Sequence, residues 1–131
     1  MAGINVKKVY TESFVASEDL SSYQYYGVTL SGDRTVDLHD ADTDIPSGIL
    51  LNAPESGEEA EVLVIGRTPI VAGETIAAHQ LVRIDSNGKA MVFEVDTDVT
   101  CYCIGQCTQG ADAGEKVEVM VCAITPFRGE E

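Results

Sequence analysis

The sequence predicts an all-β fold: two tandem-repeated small β-sandwich- or barrel-like units packed together, with an N-terminal arm. Three observations predict it. The second half of the chain echoes the first, apolar residues alternate with a period of two through several short segments, and no stretch of about 11 residues or more carries a convincing 3.6-residue apolar period. The nearest approach to a helix is the segment from Ala72 to Leu81, short and interrupted by Gly73, with room for one or two turns.

At an offset of 56, Val15, Ala16, Glu18, Gln24 and Gly32 meet Val71, Ala72, Glu74, Gln80 and Gly88. After one inserted residue the offset is 57. Gly48, Gly57, Glu58, Glu61, Val62, Val64, Thr68 and Pro69 then meet Gly105, Gly114, Glu115, Glu118, Val119, Val121, Thr125 and Pro126. Thirteen identities at almost constant spacing read as an internal duplication. They divide the chain into an arm over 1–13, a first β repeat over 14–69, and a second repeat with the C-terminal tail over 70–131.

Each copy carries the same signals in the same order. A Val-Ala-x-Glu loop opens it, and a strand follows over 25–30 or 81–85. The turn is Ser31-Gly32-Asp33 or Ser86-Asn87-Gly88-Lys89, and Asn-Gly favours a hairpin because both residues tolerate positive φ. A returning strand over 35–39 or 90–95 reaches an Asp-Thr-Asp segment, and another strand crosses Gly48 or Gly105. The turns at Gly57-Glu58 and Gly114-Glu115 lead into 60–65 and 117–122. There Val62 and Val64 share a face against Glu61 and Leu63, while Val117, Val119 and Val121 oppose Glu118 and Met120. A single copy of about 57 residues would be marginally stable, so the copies are expected to pack together or share a sheet.

Charge and hydropathy narrow the function. With 22 acidic and 8 basic residues the net charge is -14, a surface that phosphate repels, so nucleic acid is not an expected partner. No apolar run approaches the length of about 18 residues that a membrane span needs, and Met1 to Lys8 lacks the apolar centre of an export signal.

The cysteines, Cys101, Cys103, Cys107 and Cys122, all fall in the second copy and lack paired zinc-knuckle spacing. Three of them stand where the first copy has Pro46, Leu50 and Ile65, which points to small buried hydrophobes; Cys101 stands opposite Asp44. Asp40, Asp42 and Asp44, and the related Asp96 and Asp98, lack the glycine and distal Glu of a calcium loop and read as solvated acidic turns. His39 and His79 sit in no nucleophile–base signature, with His79 aligned on Tyr23, and Gly57 and Gly114 precede Glu, the wrong charge for phosphate. No catalytic residue, cofactor site or metal site is expected. Candidate partner contacts are Ile4, Val6, Lys7, Lys8 and Tyr10 of the arm, with Tyr23 and Tyr26 of the one aromatic concentration. The arm could equally be a frayed terminus or an edge strand, and the tyrosines could pack in the core.

Read whole, the second copy resembles the small capsid cement (decoration) proteins of tailed bacteriophages. The resemblance rests on Ala72-Gly73-Glu74, Ile76-Ala77-Ala78, Leu81-Val82, Ile84-Asp85-Ser86-Asn87-Gly88-Lys89, Asp96-Thr97-Asp98, Ile104-Gly105 and Ala113-Gly114-Glu115 with Val117 and Val119. The first copy follows more loosely, with Ser17 in the place of Gly73. The resemblance implies a virion protein on the outer capsid surface, made in the host cytoplasm. It would bind the major capsid protein, bridge its subunits, stabilise the expanded shell, and form a homo-oligomer (a trimer) around capsid symmetry axes. The Ala-Gly-Glu-x-Ile-x-Ala opening also resembles β-clip domains, whose implied role is binding a small ligand or carbohydrate.

Overall fold

The computed structural model describes residues 6–95, 97–98, 100–123 and 127–128. These are all-β: no helix occurs among them, and the 72–81 segment is a run of turns held by a bridge between Ile76 and Ala111. The first half contains Lys7–Ala16 (β1), Gly27–Gly32 (β2), Thr35–Leu38 (β3), Gly48–Leu50 (β4) and Glu59–Val71 (β5). The second contains Leu81–Ile84 (β6), Ala90–Val92 (β7), Tyr102–Gln109 (β8), Lys116–Cys122 (β9) and the short Phe127–Arg128 (β10).

Neighbouring strands run β1-β3-β2-β4-β5-β9-β8-β6-β7, with β10 beside β8. Because β1 also pairs with β5, the first five strands close into a ring. The series β5-β9-β8-β6-β7 closes too, through a parallel bridge between Ala72, just beyond β5, and Ala90 of β7. Closure occupies strand edges that would otherwise pair with other chains. Strand β5, 13 residues long, belongs to both rings. The boundary expected between 69 and 70 therefore falls inside a strand.

Equivalent pairings occur in the two rings. Leu50 faces Val62 as Cys107 faces Val119, and Phe14 faces Ala60 as Ile70 faces Val117. The Gly57 and Gly114 N–H groups donate to the Ala16 and Ala72 carbonyls, both at 2.8 Å. Beside them, Glu58 and Glu115 accept from the backbone N–H of Glu55 and Asp112, so these glutamates close their own turns.

The hairpins follow a different register. Leu30 pairs with Val36 and Ile84 with Ala90, an offset of 54 rather than 56. Tyr25 and His79, at φ 69° and 80°, donate N–H to the Leu50 and Cys107 carbonyls at 2.7 and 2.8 Å. His79 thus matches Tyr25, not Tyr23, and the left-handed Gly88 (φ 76°) matches Arg34 (φ 59°), not Gly32. The Asn-Gly turn also differs from expectation. Positive φ occurs at Gly88 and not at Asn87, the Gly88 N–H donates to the Asp85 carbonyl, and Asp85 Oδ1 accepts from the N–H of Asn87 and Lys89. This is the longer hairpin loop with one left-handed glycine, not the two-residue form.

Each ring has its own core. Leu20, Val28, Val36, Leu50 and Val62 fill the first; Ile70, Ile76, Val82, Ile104 and Val119 lead the second, which also takes Ile49 and Val64. Fully burying each such side chain stabilises the fold by about 1.5–3 kcal/mol. Leu63 is buried as well as Val62 and Val64, against the expected alternation, so both faces of the middle of β5 are shielded from solvent. Gly48 and Gly105 sit where a Cβ would lie 2.3 Å from the Leu63 carbonyl oxygen and 1.9 Å from that of Met120. Adjacent strands approach closely at both places, and only a bare backbone fits.

The rings are joined through the 85–89 turn. The Gly27 N–H donates to the Gly88 carbonyl at 2.8 Å, and buried His39 places Nδ1 2.9 Å from the Asp85 carbonyl oxygen. Its Nε2 lies 3.0 Å from the Asp44 carbonyl oxygen.

Candidate partner-binding surface

The residues expected to form an arm are mostly strand. From Lys7 to Ser13 the chain is β1, paired with β5 from Lys7↔Arg67 onward. Its mixed sequence leaves 7–10 exposed, which is why it reads as a tail. Register shifts on either side of Tyr10 bulge the strand, leaving Val9 67% and Tyr10 40% exposed. Val6 is half-buried, and Ile4 lies outside the described residues. Lys8 Nζ bonds Glu61 Oε2 at 2.8 Å. A hydrogen bond with Glu12 raises the Tyr10 hydroxyl above its ordinary pKa, with smaller contributions from desolvation and the Glu12 charge.

Tyr23 and Tyr26 belong elsewhere. They lie in turns before β2, not in a strand, with ring centroids 5.1 Å apart at an interplanar angle of 82°. Tyr23 packs on the first core, and Lys116 Nζ sits 5.7 Å over the neighbouring Tyr25 ring. The Tyr25 carbonyl accepts from the N–H of Val71, whereas Tyr10 pairs with Ile65. Six residues of strand separate those points, about 20 Å at the usual rise. The candidate contacts do not make one surface.

What surrounds Val9 instead is a groove of about 350 Å³ lined by Lys7, Val9, Ile65, Gly66, Arg67, Met120 and Val121. Sequence reading missed the β5 and β9 contributions. The available signal was Met120, placed on the outward side of β9 by alternation and 48% exposed. Arg67 is anchored at the rim, with Nε 3.6 Å from Oε2 of the buried Glu118, whose Oε1 accepts from the Thr108 hydroxyl at 2.6 Å. A second apolar groove, about 310 Å³, runs between Tyr10, Phe14, Leu30, Ile45 and Pro46 with Glu12 on its rim.

The residues weighed for chemistry have structural surroundings. Cys107 lies in the second core and Cys101 is buried, but Cys103 is half-buried and Cys122 exposed. Cys122 is not the core thiol expected, because Val121 takes the inward position on β9. Burial pushes the Cys103 and Cys107 thiols up from their ordinary pKa. Asp44 Oδ2 accepts from the N–H of Asp40 and Ala41, and Asp98 Oδ2 from that of Glu94, so these carboxylates close backbone turns. Asp42 and Asp98 each lie 3.6 Å from Arg83, while Asp96 falls outside the described residues. Among the described residues no group of three or more His, Cys, Asp or Glu is placed to hold a metal ion. His79 is exposed, and both His39 ring nitrogens face backbone carbonyls.

Neither a protein-family model nor a curated protein matches this chain. Among solved structures, the N base of the head fibre gp8.5 of bacteriophage phi29 is similar, with a TM-score of 0.64 and 17% identity over 86% of this chain and 92% of that one. The likeness is one of fold.

Proposed function

We propose that this chain is a structural protein of a bacteriophage virion. It binds the outer surface of the expanded head and stabilises the shell by bridging major capsid protein subunits. The observation that carries this reading is the likeness of fold to the base of a phage head fibre, over nearly the whole of both chains. The cement-like motifs of the second copy point the same way. A ligand that binds only the assembled shell favours assembly in proportion to its occupancy. In this reading the two rings are copies of one duplicated unit, and the chain sits as trimers around capsid symmetry axes.

The test is binding to purified heads, read by sedimentation and by electron microscopy of particles with and without the protein. Attachment to DNA-filled, expanded heads but not to immature ones is expected. Equal binding to both, or to neither, overturns the proposal.

A further inference from the structure

We infer that the groove between β1, β5 and β9 is the docking surface, and that it takes a protein segment carrying carboxylates beside an apolar side chain. The inference rests on the shell-binding reading above and names the part of the chain that makes the contact.

The groove is built by the backbone. Gly66 of β5 lies between the two walls, and a Cβ there would meet the Lys7 carbonyl oxygen and the buried Leu63 side chain, so β1 approaches β5 as closely as only a bare backbone allows. The bulge in β1 raises Val9 on one wall, and Met120 stands on the other. Exposed apolar groups facing across a channel can close on an inserted apolar side chain.

Charge selects the partner. On a chain of net charge -14, an acidic surface is repelled nearly everywhere. Lys7 and Arg67 line this groove, Arg67 already meeting Glu118, and Lys8, which bonds Glu61, is the next residue along β1. About half of the Lys8 side chain and 43% of that of Arg67 remain exposed. Elsewhere Arg83 is engaged by Asp42 and Asp98 and Lys116 lies over the Tyr25 ring, while Arg34 meets Glu12 and the Phe14 ring with 61% of its side chain exposed. Of the two grooves around Leu30 and Ile45, the one with Asp44 on its rim has no cation in its lining, and in the other Glu12 is paired with Arg34.

The experiment compares wild type, K7E/V9E, M120E and L30E/I45E for binding to DNA-filled, expanded heads that lack the protein. Circular dichroism and thermal melting verify that each variant is folded. Wild type is expected to bind, with affinity falling as NaCl rises. K7E/V9E and M120E, which alter opposite walls, are each expected to bind about tenfold more weakly or worse, while L30E/I45E binds as wild type. Wild-type affinity in folded K7E/V9E or M120E overturns the groove assignment and leaves the shell reading standing. So does lost binding confined to L30E/I45E. Failure of wild type to bind overturns both.

Discussion

His39 Nδ1 lies 2.9 Å from the Asp85 carbonyl oxygen, so a buried side chain of one ring is bonded to the turn backbone of the other. His39→Ala would remove the imidazole ring that lies between the part-buried Asp85 and Asp44 carbonyl oxygens and open a cavity at the junction. A loss of about 2–4 kcal/mol is expected, measured by urea unfolding. A loss below 1 kcal/mol, on the same scale, would show that the contact does not join the rings.

Gly105→Ala is expected to destabilise the protein by about 3 kcal/mol, because the new methyl meets the Met120 carbonyl and not a movable side chain. Gly114→Ala tests a different cost. Open space surrounds Gly114, but its φ is 85°, so the expected loss is about 1 kcal/mol. Melting temperatures of the two variants give the order.

Thiol labelling reads the cysteine environments directly. Cys122 is expected to react with a maleimide first in the native protein, Cys103 slowly, and Cys101 and Cys107 only on unfolding. Peptide mass mapping after brief labelling checks the sequence; early modification of Cys107 would contradict the core assignment.

Asp37 supplies a pH test. Burial, then the Glu18 and Asp40 charges, raise its pKa, against an opposing hydrogen bond from Ser31. An acid whose folded pKa is raised costs stability while ionised, and the cost disappears as pH falls through the carboxylate range. Asp37→Asn is therefore expected to stabilise by no more than about 0.5 kcal/mol at neutral pH, given its partial exposure, and to lose that advantage in acid. A gain that persists at low pH would assign the effect to packing.

Truncation separates arm from strand. Removing residues 1–13 deletes seven of the ten residues of β1 and most of its pairing with β5, sparing only Phe14 to Ala16, so a large fall in melting temperature is expected. Removing 1–5 spares β1 and is expected to lower the melting temperature far less. Equal stability of the two truncations would show that β1 before Phe14 does not stabilise the ring.

Much of the fold was legible in the sequence because its signals are local. Period-two valines in 117–121 mark β9, and the Gly-Glu pairs at 57–58 and 114–115 mark turns closed by the same set of amide, carbonyl and carboxylate hydrogen bonds. The hairpin register was not legible. Gln24 and Gln80 are identical in type, yet backbone hydrogen bonds equate Tyr25 with His79, and a left-handed backbone can be carried by Arg34 as well as by Gly88. The groove was missed for a related reason. It is made of Lys7, Gly66 and Met120, which long-range pairing brings together and no sequence spacing announces.

Strand β5 has one more consequence, for the order in which the chain acquires structure. The strand pairing of the first ring uses nothing beyond residue 71, although Ile49, Val64 and His39 also pack or bond against the second. The second ring needs the far end of β5, to which β9 pairs from Val71↔Lys116 to Ile65↔Cys122. During synthesis the first ring can close before the second exists, and the overhanging half of β5 then serves as a template on which the later strands assemble. The halves are therefore unequal in autonomy. A fragment of 1–71 is expected to retain β-structure by circular dichroism, whereas 72–131, deprived of its seed, is expected to stay unfolded until the other fragment is added.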